Sequence, residues 1–70
     1  MNTKELMNME VVDANANRIG KVKDALFDVQ QGVINRIVVK AGLTRKYYID
    51  LDKIDKIGDK IILKIGKSEL

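Results

Sequence analysis

Short runs of alternating apolar and polar residues occupy most of the chain, and clusters of turn-forming residues separate them. Alternation with a period of two is typical of β-strands that bury one face. We therefore expect an all-β fold of about five to six antiparallel strands, organised around two consecutive hairpins between Met9 and Val39. The predicted strands are 9–13, 18–28, 33–40, 47–51 and 60–65.

The first turn of the double hairpin is rich in residues whose side chains can bond to nearby backbone. Asp13, Asn15 and Asn17 fall within five residues, and each can accept a hydrogen bond from a neighbouring N–H group. The alternative is a calcium loop, because these residues occupy positions 1, 3 and 5 of an EF-hand motif. Arg18 stands where that motif needs glycine, and Asp24 stands where it needs a bidentate glutamate. A turn is therefore the favoured interpretation.

The phase of the apolar residues, meaning whether they occupy even- or odd-numbered positions, changes within the long second strand. Val22 lies on the even phase, whereas Ala25 and Phe27 lie on the odd phase. A β-bulge adds one residue to a strand, so it joins two phases and bends the strand at the same time. We predict a bulge near Lys23 and Asp24 that forms a corner of a small barrel.

The third predicted strand follows a turn that ends in Gly32, a residue that readily adopts a positive φ. One face of this strand carries Val33, Ile37 and Val39, and the other carries Ile34, Arg36, Val38 and Lys40. The second face is half apolar although it points outward. Such a surface is typically covered by its own chain or by another subunit.

The last part of the chain is expected to contain one helical turn. In the segment 52–58, Ile54 and Ile57 are three residues apart, between an aspartate that can cap a helix and a final glycine. At the two ends, we expect residues 1–5 to be frayed and residues 66–70 to form a tail.

Length and composition limit the possible chemistry. The chain has 70 residues, enough for one domain, 1–70, with a small core. It contains no cysteine and no histidine, which excludes disulfides, thiolate metal sites and the commonest zinc ligand, so oligomerisation remains as a source of stability. No apolar run is long enough to span a membrane and no signal peptide is evident, so we expect a cytoplasmic protein without direct membrane insertion.

An enzyme is the function class that this composition disfavours most. Only lysines and carboxylates are available to activate Ser68, Thr3 or Thr44 as a nucleophile. The five glycines form no phosphate-binding run. We therefore expect no catalytic site, no cofactor, no metal and no small-molecule substrate.

Several short segments of the sequence, in their order and spacing, together resemble the PRC-barrel family. The resemblance runs from about Leu6 to Leu63, and it is carried by residues 10–13, 19–24, Asp28, Gly32, Val33, 47–49, Ile54, 57–59 and 61–63. It implies a small, partly open β-barrel with one short helical turn and no catalytic site. Residues 1–70 would then form a single PRC-barrel domain.

The chain departs from the family pattern in its loops. Ala16 stands where the first turn of the family usually has glycine, so we expect Asn15 or Asn17 to adopt the positive φ. Asp50 replaces a proline that is common after the tyrosine strand, and the loop at 41–46 is shorter than the usual glycine-rich loop. These differences concern loop geometry rather than the fold.

The resemblance implies a module for protein–protein interaction. Family members dock onto protein partners, and small stand-alone archaeal members include cell-division components that act beside the membrane anchor of the division ring. We expect an adaptor that forms a homodimer, binds a partner such as that anchor, or does both. The predicted interface consists of Ile34, Val38 and Ile62, with Arg36 at its rim, unless the chain itself covers these residues.

Nucleic-acid binding is the alternative, as in an RNA- or ribosome-associated module that acts in ribosome maturation. Lys40, Arg45 and Lys46 place positive charge beside Tyr48, a combination that single-stranded nucleic-acid binders use. The competing interpretation is that the cations form a solvated loop beside a barrel wall. A net charge of only +3 makes that interpretation the stronger one.

Overall fold

The computed structural model describes residues 3–70 and shows six strands in one sheet. The strands are β1 (Glu10–Val12), β2 (Arg18–Asp28), β3 (Val33–Ala41), β4 (Arg45–Asp50), β5 (Ile54–Ile57) and β6 (Ile61–Leu63). A single α-helical turn, α1, spans Thr3–Leu6, and 3-10 turns span Leu51–Lys53 and Lys67–Glu69. The strand order across the sheet is β4-β3-β2-β1-β6-β5. The prediction of a small, partly open, all-β barrel is confirmed.

One strand pair differs from the antiparallel arrangement expected throughout. β1 and β6 run parallel, with Val11 beside Ile61 and Val12 beside Ile62, while the other four pairs are antiparallel. A parallel pair needs a long connection between its strands, and here the connection contains β2 to β5. The alternation of apolar residues sets which face of a strand is buried but carries no information about the direction of its neighbour.

Two bulges shape the hairpin of β2 and β3. The register jumps from Val22 to Asp24 on β2, which confirms the bulge predicted near Lys23. A second jump occurs on β3, where Leu26 pairs with Arg36 and Phe27 pairs with Ile34. The extra residue there is Asn35, and it reverses the side-chain alternation that follows.

The second bulge moves one predicted outer residue to the inside. Strict alternation places Ile34 on the outer face of β3 together with Arg36. In the structure Ile34 is half buried and packs against the core. The expectation that Ile34 faces outward is therefore wrong, because the extra residue at Asn35 shifts its phase.

The core lies on the inner face of the curved sheet. Its members are mostly branched aliphatic residues, namely Leu6, Val11, Ile19, Val22, Ala25, Ile37, Val39, Ile49, Ile61 and Leu63. Gly20 lies close to the backbone of β3, and a Cβ atom there would collide with the carbonyl oxygen of Lys40. Glycine at this position therefore permits the two backbones to come together at the corner of the barrel.

The segment 52–58 is a strand for most of its length. The helical turn lies earlier, at Leu51–Lys53, and Ile54–Ile57 form β5, which pairs with β6. The prediction of a helical turn at 52–58 is wrong because pairing with β6 decides the local structure. A register shift adds one residue, Asp55, to β5, so the three-residue spacing of Ile54 and Ile57 also fits a bulged strand.

Both ends of the described chain contact the rest of the molecule. Of the segment 1–5 expected to be frayed, residues 1 and 2 lie outside the described residues, and residues 3–6 form α1, whose Leu6 joins the core. In the expected tail, 66–70, the backbone N–H of Lys67 donates to a carboxylate oxygen of Asp13. This bond ties the end of the described chain to the first turn.

Candidate interaction surface

The outer face of β3 and β4 brings together part of the predicted interface. Arg36 and Asp50 are opposite each other, and the Arg36 Nε lies 2.8 Å from the Asp50 Oδ1. The next pair on the same face is Val38 with Tyr48. Tyr48 is 61% exposed, whereas Val38 is only 6% exposed. The accessible part of this surface is therefore an aromatic ring beside a charged pair.

The four predicted interface residues do not form one patch. Arg36 and Val38 lie together, and Ile34 lies on the core side of β3. Ile62 is on β6, half buried beside Val12, and three strand steps separate β6 from β3. At about 4.8 Å for each step, that is roughly 14 Å along the sheet. Participation of these residues in an interface stays a prediction.

The register of β4 with β3 shows that Asp50 and Tyr48 also belong to this surface. Asp50 stood out in the sequence only as a departure from a family pattern, and Tyr48 only as a possible neighbour of the basic loop. Both lie beside Arg36 and Val38 because β4 pairs with β3 without a register shift. The sequence contains one signal for this arrangement, which is the even spacing of Lys46, Tyr48 and Asp50 along one strand face.

A row of lysines crosses three strands at the other end of the same face. Lys21 on β2 is opposite Lys40 on β3, and Lys40 is opposite Lys46 on β4. Like charges directly opposite each other on a sheet are destabilising, so Lys40, which lies between the other two lysines, favours binding of an anion, whereas Lys21 is also opposite Glu10 on β1. Lys21 was not among the residues selected from the sequence, because only the register of β2 with β3 shows that it lies beside Lys40.

Arg45 does not join the row of lysines. It is opposite Ala41 at the start of β4, next to Lys46 and so on the other face of the strand. Its Nη1 lies 3.4 Å from the hydroxyl oxygen of Tyr47. The basic set predicted from the sequence is therefore divided between two faces of the sheet, with Lys40, Lys46 and Tyr48 sharing one of them.

Asp13 is the buried polar residue of the first turn, and its carboxylate organises backbone donors rather than a cation. Its Oδ1 accepts hydrogen bonds from the backbone N–H groups of Asn15 (2.9 Å) and Asn17 (2.7 Å). Its Oδ2 accepts from the backbone N–H of Lys67 (2.8 Å) and from the Asn17 Nδ2 (3.2 Å). Within the described part of the chain, no group of three or more acidic, histidine or cysteine side chains is arranged to hold a metal ion.

The environment of Asp13 has opposing effects on its pKa. Burial alone raises the pKa, because it disfavours the charged carboxylate. The hydrogen bonds from the backbone of Asn17, the backbone of Lys67, the Asn17 side chain and the backbone of Asn15 lower it, and the net pKa lies below the ordinary value for aspartate. The carboxylate is thus held in its charged form by the donors that surround it.

The positive φ of the first turn belongs to Ala16. Its φ is 66°, whereas the residues expected to adopt this conformation, Asn15 and Asn17, do not adopt it. That expectation is therefore wrong. The Asp13 carboxylate accepts hydrogen bonds from the N–H groups of both asparagines, so Ala16 between them adopts the positive φ that reverses the chain direction. The second turn behaves as predicted, with Gly32 at a φ of 69°.

These features define a small, curved β-sheet module whose accessible chemistry lies on its outer face and at its edges. The PRC-barrel domain model matches residues 1–70, so the chain belongs to the PRC-barrel family. This family is a small binding fold and is not a known enzyme family. No curated protein sequence matches the chain. Over residues 3–70, no helix has the length and apolar character that crossing a membrane requires.

Proposed function

We propose that this PRC-barrel protein is a non-enzymatic adaptor that binds itself and a second protein through β3 and β4. The observation that supports this proposal is the exposed Tyr48 beside the Arg36–Asp50 pair, on two strands joined without a bulge. Aromatic residues and arginine are enriched at the energetically dominant positions of interfaces. A regular strand pair also holds these side chains in fixed positions, which lowers the entropic cost of binding.

The resemblance described above suggests a narrower role. In this proposal the second protein is a membrane anchor of the archaeal division ring, and the adaptor works in the cytoplasm beside it. The direct test measures binding of the purified anchor to the protein by calorimetry. Arg36→Ala is expected to weaken binding about tenfold or more, in the range typical for loss of an interface arginine.

Arg18→Ala is the matched control for that experiment. Arg18 also forms an exposed ion pair, with its Nε 3.1 Å from the Glu10 Oε1, but it lies on β2 next to β1, away from β4. We expect this variant to bind the anchor as the wild type does. Absence of binding by the wild type, or equal losses in the two variants, would contradict the proposed role of the surface formed by β3 and β4.

A second candidate function is binding of RNA, including an RNA- or ribosome-associated role in ribosome maturation. The row formed by Lys21, Lys40 and Lys46 favours it, since three cations on one face can contact successive phosphates. Three such contacts to a single strand predict an affinity that falls about 18-fold when the salt concentration rises fourfold. Fluorescence anisotropy with a labelled oligonucleotide measures this change, and Lys40→Gln should make it smaller. Lack of binding at low salt would remove this candidate.

A further inference from the structure

The two edges of the sheet differ in how well they are protected from pairing with another strand. β5, at one edge, has four residues and a register shift. Short and bulged edge strands resist association. β4, at the other edge, has six residues and pairs with β3 without any register shift. Its outer edge is therefore regular enough to receive another strand.

The outer edge of β4 has no backbone partner in the described part of the chain. Within residues 3–70, no backbone hydrogen bond joins residues 45–49 to any element other than β3. A groove runs along this edge, and Ile65, Glu69 and Leu70 line its far side. Alternate residues of β4 thus present an N–H and a C=O group to the groove without a backbone partner.

The side chains of β4 are complementary to a second copy of themselves. When one strand edge pairs with its own copy in antiparallel orientation, opposite residues must both be even or both be odd, because outward-pointing N–H and C=O groups alternate along the strand. Centring the pair on Tyr48 satisfies this rule. It places Lys46 of each copy opposite Asp50 of the other, on the same face of the joined sheet.

Other registers and the other edge lack this complementarity. Centring β4 on Tyr47 places Lys46 opposite Tyr48 and leaves Asp50 without a cation from the second copy. Self-pairing of β5 in the register centred on Asp55 places that carboxylate opposite its own copy, and the register centred on Lys56 does the same for that ammonium group; both arrangements are unfavourable. The charge order along β4 therefore selects both the edge and the register.

The monomer leaves the required groups accessible. The Asp50 side chain is 52% exposed although it contacts Arg36, so it can lie between Arg36 of its own chain and Lys46 of the second copy. Tyr48 would meet its counterpart on the symmetry axis, where an aromatic pair adds to the strand hydrogen bonds. The charges of Lys46 and Asp50 occur in complementary order along β4, so this edge fits a second copy better than it fits a purely acidic or purely basic peptide.

We propose that two copies of this chain associate by antiparallel pairing of their β4 edges, in the register centred on Tyr48, which joins their two sheets into one. This inference rests on the self-association included in the proposed function. Light scattering after size exclusion, over a series of concentrations, should show a wild-type dimer that dissociates on dilution.

Charge exchange tests the register. Lys46→Glu places a carboxylate opposite Asp50 of the second copy, and Asp50→Lys places an ammonium group opposite Lys46, so each variant repels its own copy at two positions. Each should dimerise at least about tenfold more weakly than the wild type. A mixture of the two variants restores both attractive pairs and should form a heterodimer. Thermal unfolding of each variant checks that it folds, since loss of an exposed ion pair has a small effect on stability.

A disulfide tests the position of the axis. The chain has no cysteine, and directly opposite residues of an antiparallel pair lie within the Cα distance that a disulfide requires. Tyr48→Cys should therefore form a covalent dimer rapidly under oxidising conditions. Tyr47→Cys, whose counterpart is two residues out of register, and Lys56→Cys on β5 are controls that should crosslink slowly. Adding Lys46→Glu to Tyr48→Cys should slow the crosslinking.

The outcomes separate this inference from the proposed function. A wild-type dimer that neither charge variant weakens, or in which Tyr48→Cys crosslinks no faster than the controls, overturns the β4 arrangement and leaves self-association in place. Filaments of wild-type protein also overturn it, because they indicate pairing of β4 with β5 of the next copy. A monomer that binds the division-ring anchor overturns it too, but leaves the adaptor role intact. A monomer that binds nothing overturns both.

Discussion

The two turns of the double hairpin have the same local chemistry but different roles in the fold. In each, an aspartate Oδ1 accepts two backbone hydrogen bonds, from Asn15 and Asn17 at Asp13 and from Gln30 and Gln31 at Asp28. Both turns also contain one residue with a positive φ. The difference is that Asp13 is buried and its second oxygen bonds to Lys67, 54 residues away, whereas the bonds of Asp28 are local and exposed.

This comparison shows how a local turn motif becomes a tertiary contact. The first turn lies where β1, β2 and the last 3-10 turn meet, so its carboxylate is shielded from water and connects distant parts of the chain. The second turn projects beyond the core and its neighbour Val29 is 93% exposed. The same hydrogen bonds should therefore contribute much more to stability at Asp13 than at Asp28.

The largest expected effect is that of Asp13→Ala. The substitution leaves the N–H groups of Asn17 and Lys67 without their acceptor in a partly buried site, which is more costly than losing an exposed bond. We expect the thermal unfolding midpoint to fall by on the order of 10 °C. Asp28→Ala is the matched control and should lower it by only a few degrees. Similar shifts in the two variants would contradict the difference in role.

A pH series should show a second large effect at Asp13. Its pKa in the folded protein lies below its ordinary value, so the charged carboxylate stabilises the fold, and this stabilisation is fully present above the unfolded pKa of about 4. It is lost as the pH falls through the lower, folded pKa. The wild type should have a higher free energy of unfolding in urea than Asp13→Asn, and this difference should therefore shrink in that range. A difference that stays constant down to about pH 2 would argue against this account.

The sequence predicted features that depend on neighbouring residues. The bulge at Lys23 was predictable because apolar residues of opposite phase, Val22 and Ala25, flank it. The bulge at Asn35 was not, because Val33 and Ile37 on either side keep one phase and hide the extra residue. The parallel pairing of β1 with β6 also depends on contacts between distant segments, which alternation does not encode.

The candidate site was predictable only in part, for a related reason. Sequence alternation identified Arg36 and Val38 as outward-facing, and they share a face in the structure. The neighbours that complete the surface, Asp50 and Tyr48, come from another strand, and only the register of β3 with β4 shows that they are adjacent. An interaction surface on a sheet is formed across strands, whereas a sequence pattern describes one strand at a time.

A smaller effect is expected from Gly32→Ala in the second turn. Gly32 has a φ of 69°, and a Cβ atom added there would have no heavy atom within 4 Å, so the cost comes from the backbone conformation alone. That cost is about 1 kcal/mol, or roughly 4–8 °C in the unfolding midpoint of a domain of this size. Gln31→Ala, at the adjacent exposed position, is the control. A Gly32→Ala variant as stable as the wild type would show that the turn relaxes to another conformation.

The smallest expected effect has the opposite sign and comes from Ala16→Gly in the first turn. Ala16 adopts a φ of 66°, which costs an L-residue about 1–2 kcal/mol and a glycine almost nothing. The greater freedom of glycine in the unfolded chain offsets part of this gain, so we expect a net stabilisation of about 0.5 kcal/mol in urea unfolding. Ala14→Gly, in the same turn at negative φ, should destabilise instead. If Ala16→Gly also destabilises, the strain assigned to Ala16 is relieved by the hydrogen bonds that Asp13 makes around it.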